Sequence, residues 1–305
     1  MPDKILVLGG TGFFGRAVSH AILDRGYDLR MLVRDPGRAG AFRVRGAELV
    51  QGNATDAAVL EKACQGVAAV VDLVAVRRNR PQSYFDVNVE APAKLGQVAK
   101  AAGVHKVVFV SAIGARPDAV STYLASRYAG EQALIRTGTP HTIVRFSFLL
   151  GEDGGVVDDF QRAAEFGPVI VIPGDGQQHF QPIIRDDAAR CVVDSIPRAD
   201  LYGKTLELGG PEILTYEQLL DFFCRARDIK KPRLKMPISL LIPGAALMDV
   251  FMPDPLVTPD ELKSLRAENV ADALDVVVST FNFRPASPSA WALQHWRTNR
   301  RAAVL

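Results

Sequence analysis

The sequence predicts an α/β fold in which a doubly wound parallel sheet is followed by a smaller, α-rich C-terminal lobe. Three observations carry this. Short apolar runs alternate with helix-spaced segments from residue 5 to residue 146, a glycine-rich turn joins the first run to the first helix, and the alternation stops after Gly151. Strands separated by helices of this length pair in parallel, with right-handed crossovers and helices on both faces.

Residues 5–8 are the first strand, ended by glycines. In residues 16–25, Ala17, Val18, Ala21 and Ile22 share one helical face, and Gly26 closes the helix. Residues 29–33, 48–51 and 68–74 are the second to fourth strands, with a helix over 57–64. A helix over 89–102 ends at Gly103. Residues 106–110 are the fifth strand, 123–136 a helix and 142–146 the sixth strand. Beyond Gly151, Pro168, Pro173, Gly174, Gly176 and Pro182 punctuate the chain. A returning helix over 187–195, a strand at 206–208 and a helix over 216–225 follow. The expected domains are therefore 1–150 for the sheet and 151–305 for the lobe, with part of 182–210 returning to the sheet.

The chain has 305 residues, 48% of them hydrophobic, enough for a sizeable core. Its 36 basic and 34 acidic residues leave a net charge of +2, which gives no reason to expect nucleic acid as a partner. The three cysteines, Cys64, Cys191 and Cys224, lie far apart, which suits a reducing compartment and argues against a disulfide framework. Glycines end the first apolar run too early for a secretory signal. No stretch reaches the ~18 apolar residues of a spanning helix. The nearest approach, residues 237–252, is broken by Pro243 and Asp249. The expectation is a soluble, cytoplasmic protein.

The turn after the first strand reads Gly9-Gly10-Thr11-Gly12-Phe13-Phe14-Gly15. Gly9 permits the tight turn, Gly12 lets backbone N–H groups approach a pyrophosphate, and Gly15 lets helix and strand pack closely. The helix N-terminus then adds partial positive charge at the anion. A dinucleotide cofactor is the partner this turn calls for. The end of the second strand, Val33-Arg34-Asp35-Pro36-Gly37-Arg38, selects between cofactors. Arg34 and Arg38 suit the 2′-phosphate of NADP(H), which is the favoured reading; Asp35 as the reading residue would favour NAD(H). Asp56 follows the third strand and caps the helix over 57–64, beside the adenine.

At this point the motifs resemble a known family, the atypical and extended short-chain dehydrogenases with an NAD(P)-binding Rossmann fold. Within it, the resemblance is to the branch of the nucleotide-binding accessory subunit of respiratory complex I. It rests on the glycine motif with Phe13 and Gly15, on Gly52–Asp56, on Val87-Asn88-Val89, and on Val107–Ser111 with Ile113-Gly114. It rests also on Tyr123-Leu124-Ala125-Ser126-Arg127 with Gly130-Glu131, on Gln181-Pro182-Ile183 with Asp186-Asp187-Ala188, and on Thr258-Pro259-Asp260 with Glu268-Asn269-Val270. It spans roughly residues 4–285.

The resemblance implies a catalytic tyrosine with a lysine four residues on, whose ammonium holds the nicotinamide ribose and lowers the tyrosine pKa from about 10. This chain offers Tyr123 and Arg127, on one helix face. Arginine keeps the charge and reaches a ribose hydroxyl, but it is larger, forked and does not exchange its proton near neutral pH. The third partner is a hydroxyl beyond the fifth strand. Ser111 is present, while the family position falls at Ala112 or Ile113; Ser121 and Thr122 are nearby alternatives. The resemblance thus implies weak or lost catalysis and a structural, accessory or redox-sensing role. The alternative is an active reductase, epimerase or dehydratase acting on a small-molecule substrate.

Two basic segments stand apart from this site. Arg77, Arg78 and Arg80 leave the fourth strand at the carboxyl edge, either as anion ligands or as a solvated loop. Residues 225–235 carry six basic residues and one acidic, and an apolar stretch over 238–252 follows. That pairing suggests docking through 225–252 on a protein complex or, peripherally, on the inner face of a membrane. The alternative is a surface loop followed by a buried helix. Trp291 and Trp296 suit a docking helix before the basic tail Arg297, Arg300 and Arg301. His141 and His179 are isolated and read as structural.

Overall fold

A computed structural model describes residues 3–79 and 81–296. Six strands, β1 (Lys4–Leu8), β2 (Asp28–Val33), β3 (Glu48–Gln51), β4 (Ala69–Asp72), β5 (Lys106–Ala112) and β6 (His141–Phe146), join the later strand Thr205–Leu208 in one sheet. Its order is Thr205–Leu208, β6, β5, β4, β1, β2, β3. The chain thus starts in the middle, winds outward one way through β2 and β3, and then the other way from β4. Register is parallel throughout the assigned pairs, with Leu8 facing Leu32 on one side and Asp72 on the other.

In chain order the helices are α1 (Phe13–Asp24), α2 (Gly40–Val44), α3 (Ala57–Cys64), α4 (Ala91–Ala101), α5 (Thr122–Arg136), α6 (Val156–Glu165), α7 (Arg185–Ser195), α8 (Tyr216–Arg227), α9 (Ile238–Phe251), α10 (Pro259–Ser264), α11 (Val276–Phe281) and α12 (Pro288–His295). Among the described residues, no helix is long and apolar enough to cross a membrane.

The chain packs as two compact units. Of the described residues, the first holds those up to Asp118, Leu124–Phe146 and Asp186–Glu207; the second holds Ala119–Tyr123, Ser147–Arg185 and those from Leu208 to Trp296. In the first unit, Leu6, Leu8, Val70, Phe109 and Ile143 form one side of the sheet's core with Leu60, Leu95 and Leu134 from the helices. Buried and half-buried charges hold this side of the sheet. Arg145 on β6 meets Glu131 of α5 at 2.6 Å and Glu207 of the outermost strand at 3.1 Å. Lys106 starts β5 and donates to the carbonyls of Ser195 and Arg198, both at 2.7 Å.

The fourth strand is shorter than the expected 68–74. It ends at Asp72, whose carboxylate accepts the Val74 N–H at 3.0 Å and turns the chain outward. The expected helix over 89–102 is preceded by a wide helical turn at Phe85–Glu90. The Asn88 carbonyl of that turn lies where a Cβ on Gly130 would overlap it, so only glycine lets α5 approach this closely.

The second unit is held by a polar clasp and an aromatic core. Gln181 donates to the Gly210 carbonyl at 2.8 Å and accepts the Ala271 N–H at 3.0 Å. Ser147 donates to the Asn269 carbonyl at 2.9 Å. Phe160, Phe180, Phe223 and Trp296 are buried together, and the Trp296 indole donates to the Gly151 carbonyl at 2.9 Å. Arg297, Arg300 and Arg301 lie outside the described residues, as does Arg80. Pro243 sits inside α9 without ending it, and only Ile238 and Ala245 of that helix are buried. The reading of a buried helix over this stretch is therefore corrected: the two polar residues of α9, Ser239 and Asp249, do not mark out a polar face, so its apolar content alone did not reveal that one face stays open.

Candidate functional site

The site is built at the carboxyl ends of β1, β2, β4 and β5, where an open α/β sheet presents its loops to ligands. Its centre is the turn between β1 and α1. Gly9 has φ +78° and lies where a Cβ would stand 3.2 Å from the Leu73 backbone, so both conformation and space demand glycine. Gly15 packs so tightly on the Gly9 carbonyl and the Gly10 backbone that a Cβ would overlap them. Gly12 is the N-cap of α1, and a Cβ there would meet only the Gly9 carbonyl within contact range, at 3.3 Å. The helix begins with no side-chain cap and no acidic residue in its first turn. Within its own first turn its positive end thus has no neutralising side chain, which favours holding a phosphate. Thr11 and Phe13 flank the turn, half-buried, and Phe14 packs edge-on against Phe146 with ring centres 5.6 Å apart. These residues fit a dinucleotide's pyrophosphate.

Beyond β2, Arg34 and Arg38 are exposed, and their side chains have no ion pair or hydrogen bond among the described residues. Asp35 is committed: its carboxylate accepts the Gly37 N–H at 2.9 Å and caps the short turn Pro36–Ala39. Beyond β3, Asp56 caps α3 by accepting the N–H groups of Ala58 at 2.9 Å and Val59 at 3.4 Å.

The three candidate catalytic residues occupy unlike environments. Tyr123 lies in the first turn of α5, half-buried. Its N–H and that of Thr122 donate to the two oxygens of Asp260, at 2.8 and 2.7 Å. Arg127, one turn on, is 1% exposed. Its guanidinium donates to the Val110 carbonyl on β5 and, at 3.3 Å, to the Val74 carbonyl beyond β4, and it lies 4.7 Å over the Phe109 ring. It therefore ties two neighbouring strand exits together. Ser111, on β5, is buried, and its hydroxyl has no hydrogen-bond partner among the described residues.

Two further residues of this edge were not singled out as site residues by the sequence reading. Asp72 ends β4 and is fully enclosed. Burial pushes its carboxyl up to about 6, opposed by the Val74 N–H and by the Arg127 charge. Asn88 holds the outgoing loop at Val76 from both sides, accepting its N–H at 3.0 Å and donating to its carbonyl at 3.1 Å. It also donates to the Ser126 hydroxyl of α5 at 2.9 Å. An acidic residue closing an apolar strand, and an asparagine inside a helix-forming run, were the available signals. Farther along that loop, the Tyr84 hydroxyl donates to the Arg77 carbonyl at 2.7 Å.

Comparison with known proteins bears on the same region. The profile described as NAD(P)H-binding matches residues 9–197. A (4-alkanoyl-5-oxo-2,5-dihydrofuran-3-yl)methyl phosphate reductase of Streptomyces griseus is 29% identical, over 95% of this chain and 97% of its own. The mitochondrial NADH dehydrogenase [ubiquinone] 1 alpha subcomplex subunit 9 of Arabidopsis thaliana is 24% identical, over 87% of this chain and 70% of its own. The resemblance to the complex I accessory branch is met in this last relative. A solved structure of an NADPH-dependent quinone oxidoreductase from Escherichia coli, complexed with NADPH, shares the fold. Its TM-score is 0.75 at 19% identity, over 94% of this chain and 98% of that one. Some curated relatives are longer, and the chain spans 60% of the length of one and 48% of another.

Proposed function

The chain belongs to the NAD(P)H-binding family, and from that premise we propose that it binds NADP(H) and serves as an accessory or redox-sensing protein with weak or lost hydride transfer. Gly9, Thr11, Gly12, Phe13, Phe14 and Gly15 cradle the pyrophosphate, with Asp56 on the adenine side. Arg34 and Arg38 take the 2′-phosphate. The support for NADP(H) over NAD(H) is that both arginines are uncommitted while Asp35 is occupied by the Gly37 N–H. A carboxylate used as a cap is poorly placed to hold a ribose hydroxyl, and a free guanidinium binds phosphate well.

The observation that carries the second half is the burial of Arg127. In the Tyr–Lys arrangement an ammonium group reaches the ribose and favours the phenolate. Here the cation at that position donates to two main-chain carbonyls and offsets a buried carboxylate. Little of its charge is left to act on a phenol. The reading of an active reductase on a small-molecule substrate is favoured by one finding, the similarity to the Streptomyces reductase along nearly its whole length. In that case Tyr123 supplies the proton without a lysine.

Titration of the purified protein with NADPH and NADH, followed by fluorescence, tests the cofactor reading. NADPH is expected to bind more tightly, and Arg34→Ala to weaken it by about tenfold, the loss of one charge-assisted phosphate contact. NADH is expected to be unaffected. Preference for NADH, or an indifferent Arg34→Ala, would sink it. NADPH oxidation with a panel of carbonyl substrates, abolished in Tyr123→Phe, would instead establish the reductase.

A further inference from the structure

Helix α9 contains a single ionisable residue, Asp249. A helix apolar on all sides is ordinarily covered on all sides. One side of α9 is covered: Ile238, Leu241, Ile242 and Ala245 pack with Val257, Leu262 and Leu265 on and around α10. The other side is open. Leu240, Leu247, Val250 and Phe251 are 66%, 62%, 65% and 76% exposed, and Pro243 and Gly244 between them are exposed as well. Positions 240, 243, 244, 247 and 251 recur at the spacing of one helix face, so these side chains form a stripe rather than scattered points. Leu234 just before the helix and Met252 just after it are exposed too.

The chain leading into this stripe is basic. Between residues 216 and 235, six basic residues face three acidic ones, Glu217, Asp221 and Asp228, which leaves a surplus of three positive charges. Arg233 pairs with Asp221, and Lys235 with Glu217 at 2.8 Å. Lys230, only 3.6 Å from Asp228, remains largely in solvent. Arg225 is exposed, and its side chain has no partner among the described residues.

We propose that the outward face of α9, with the basic segment before it, docks on the surface of an anionic lipid bilayer. The helix lies flat rather than crossing, since its 14 residues span only about 21 Å against the ~30 Å hydrocarbon core. Leucine, valine and phenylalanine enter the boundary between headgroups and acyl chains while the solvent-facing Arg225 and Lys230 meet the anionic headgroups. A second copy of the chain is a poorer occupant. One side of a single helix of this length offers a few hundred Å², below the ~800 Å² per partner of a stable interface. A bilayer requires no matching surface. This docking is independent of the cofactor reading and stands or falls without it.

The test is co-flotation of the whole protein with vesicles of phosphatidylglycerol and phosphatidylcholine, beside vesicles of phosphatidylcholine alone. The protein is expected to float with the anionic vesicles, and to do so less as salt is raised. The double variant Leu247→Glu/Phe251→Glu should reduce the bound fraction at least tenfold with an unchanged melting temperature. Lys230→Ala should reduce it up to about fivefold, the effect of one basic residue near an anionic surface. An unbound wild-type protein, or binding that survives the double variant, overturns the proposal. A concentration-dependent dimer that the double variant dissolves, seen by sedimentation velocity without vesicle binding, would assign the face to a second copy instead.

Discussion

Helices α1 and α9 are both rich in apolar residues, and their fates differ. In α1, Val18 and Ile22 are fully buried, while His20 and Asp24 face solvent on the opposite side. In α9, large apolar side chains face solvent, and those opposite them are packed. The contrast extends to the regions around them. At the carboxyl edge of the sheet near α1, Arg127, Asp72 and Asn88 are each committed to partners inside the unit. Along α9, the stripe from Leu240 to Phe251 is left exposed among the described residues. A region of the first kind is explained by what it holds together, and a region of the second kind by what it meets. Removing a committed group should therefore cost stability, whereas replacing an uncommitted one should not.

The largest cost is expected at Arg127. Arg127→Met leaves the Val74 and Val110 carbonyls without their donor and the Asp72 carboxylate without its opposing charge. Breaking a buried charge of this kind costs about 4 kcal/mol. Urea unfolding of the variant measures it. Arg127→Lys should recover part of the loss, because one ammonium cannot reproduce the fork across two carbonyls. It should also bring no gain in NADPH turnover. A lysine variant as stable as the wild type and newly active would show that the guanidinium belongs to the reacting site, and the contrast with α9 would weaken.

Asp72 gives the next effect, and it carries a sign. Its carboxyl is raised from 3.8 to about 6 in the folded protein. As pH rises, the unfolded chain releases this proton first, so over that interval the folded state holds more protons than the unfolded state. Stability therefore falls between pH 4 and 6, by about 3 kcal/mol for a shift of this size. Below that window the group is neutral in both states and contributes no penalty. Asp72→Asn should flatten this part of the stability profile. A wild-type stability that rises across pH 4 to 6, with no slope attributable to Asp72, would show the carboxylate to be paired more strongly than its surroundings indicate.

The same contrast explains what could be read from the sequence. The glycine turn was legible because its requirements are local: Gly9, Gly12 and Gly15 answer to one another across a few residues. Parallel pairing was legible from the alternation of strands and helices. Arg127 was legible as a departure from lysine, but its commitments were not. Its acceptors lie on strand exits 53 and 17 residues away in sequence. The two N–H groups that Asp260 accepts are still farther, 138 and 137 residues before it. The alternation identifies which strands are neighbours but not which side chain fills the gap between their exits. In α1 the polar residues name the outward face, so periodicity suffices. In α9 no polar face exists, and apolar content alone is compatible with either side being covered.

The smallest expected effect is also the sharpest test of that difference. Leu247 is 62% exposed, so a charge placed there stays in water and buries nothing. Leu247→Glu should leave the unfolding free energy within about 0.5 kcal/mol of the wild type, as for surface substitutions away from special features. The equivalent exchange in α1, Ile22→Glu, places a carboxylate at a fully enclosed position and should be far more damaging. If Leu247→Glu instead unfolds the protein, the stripe on α9 is covered within the chain itself, and it is no longer available to a bilayer.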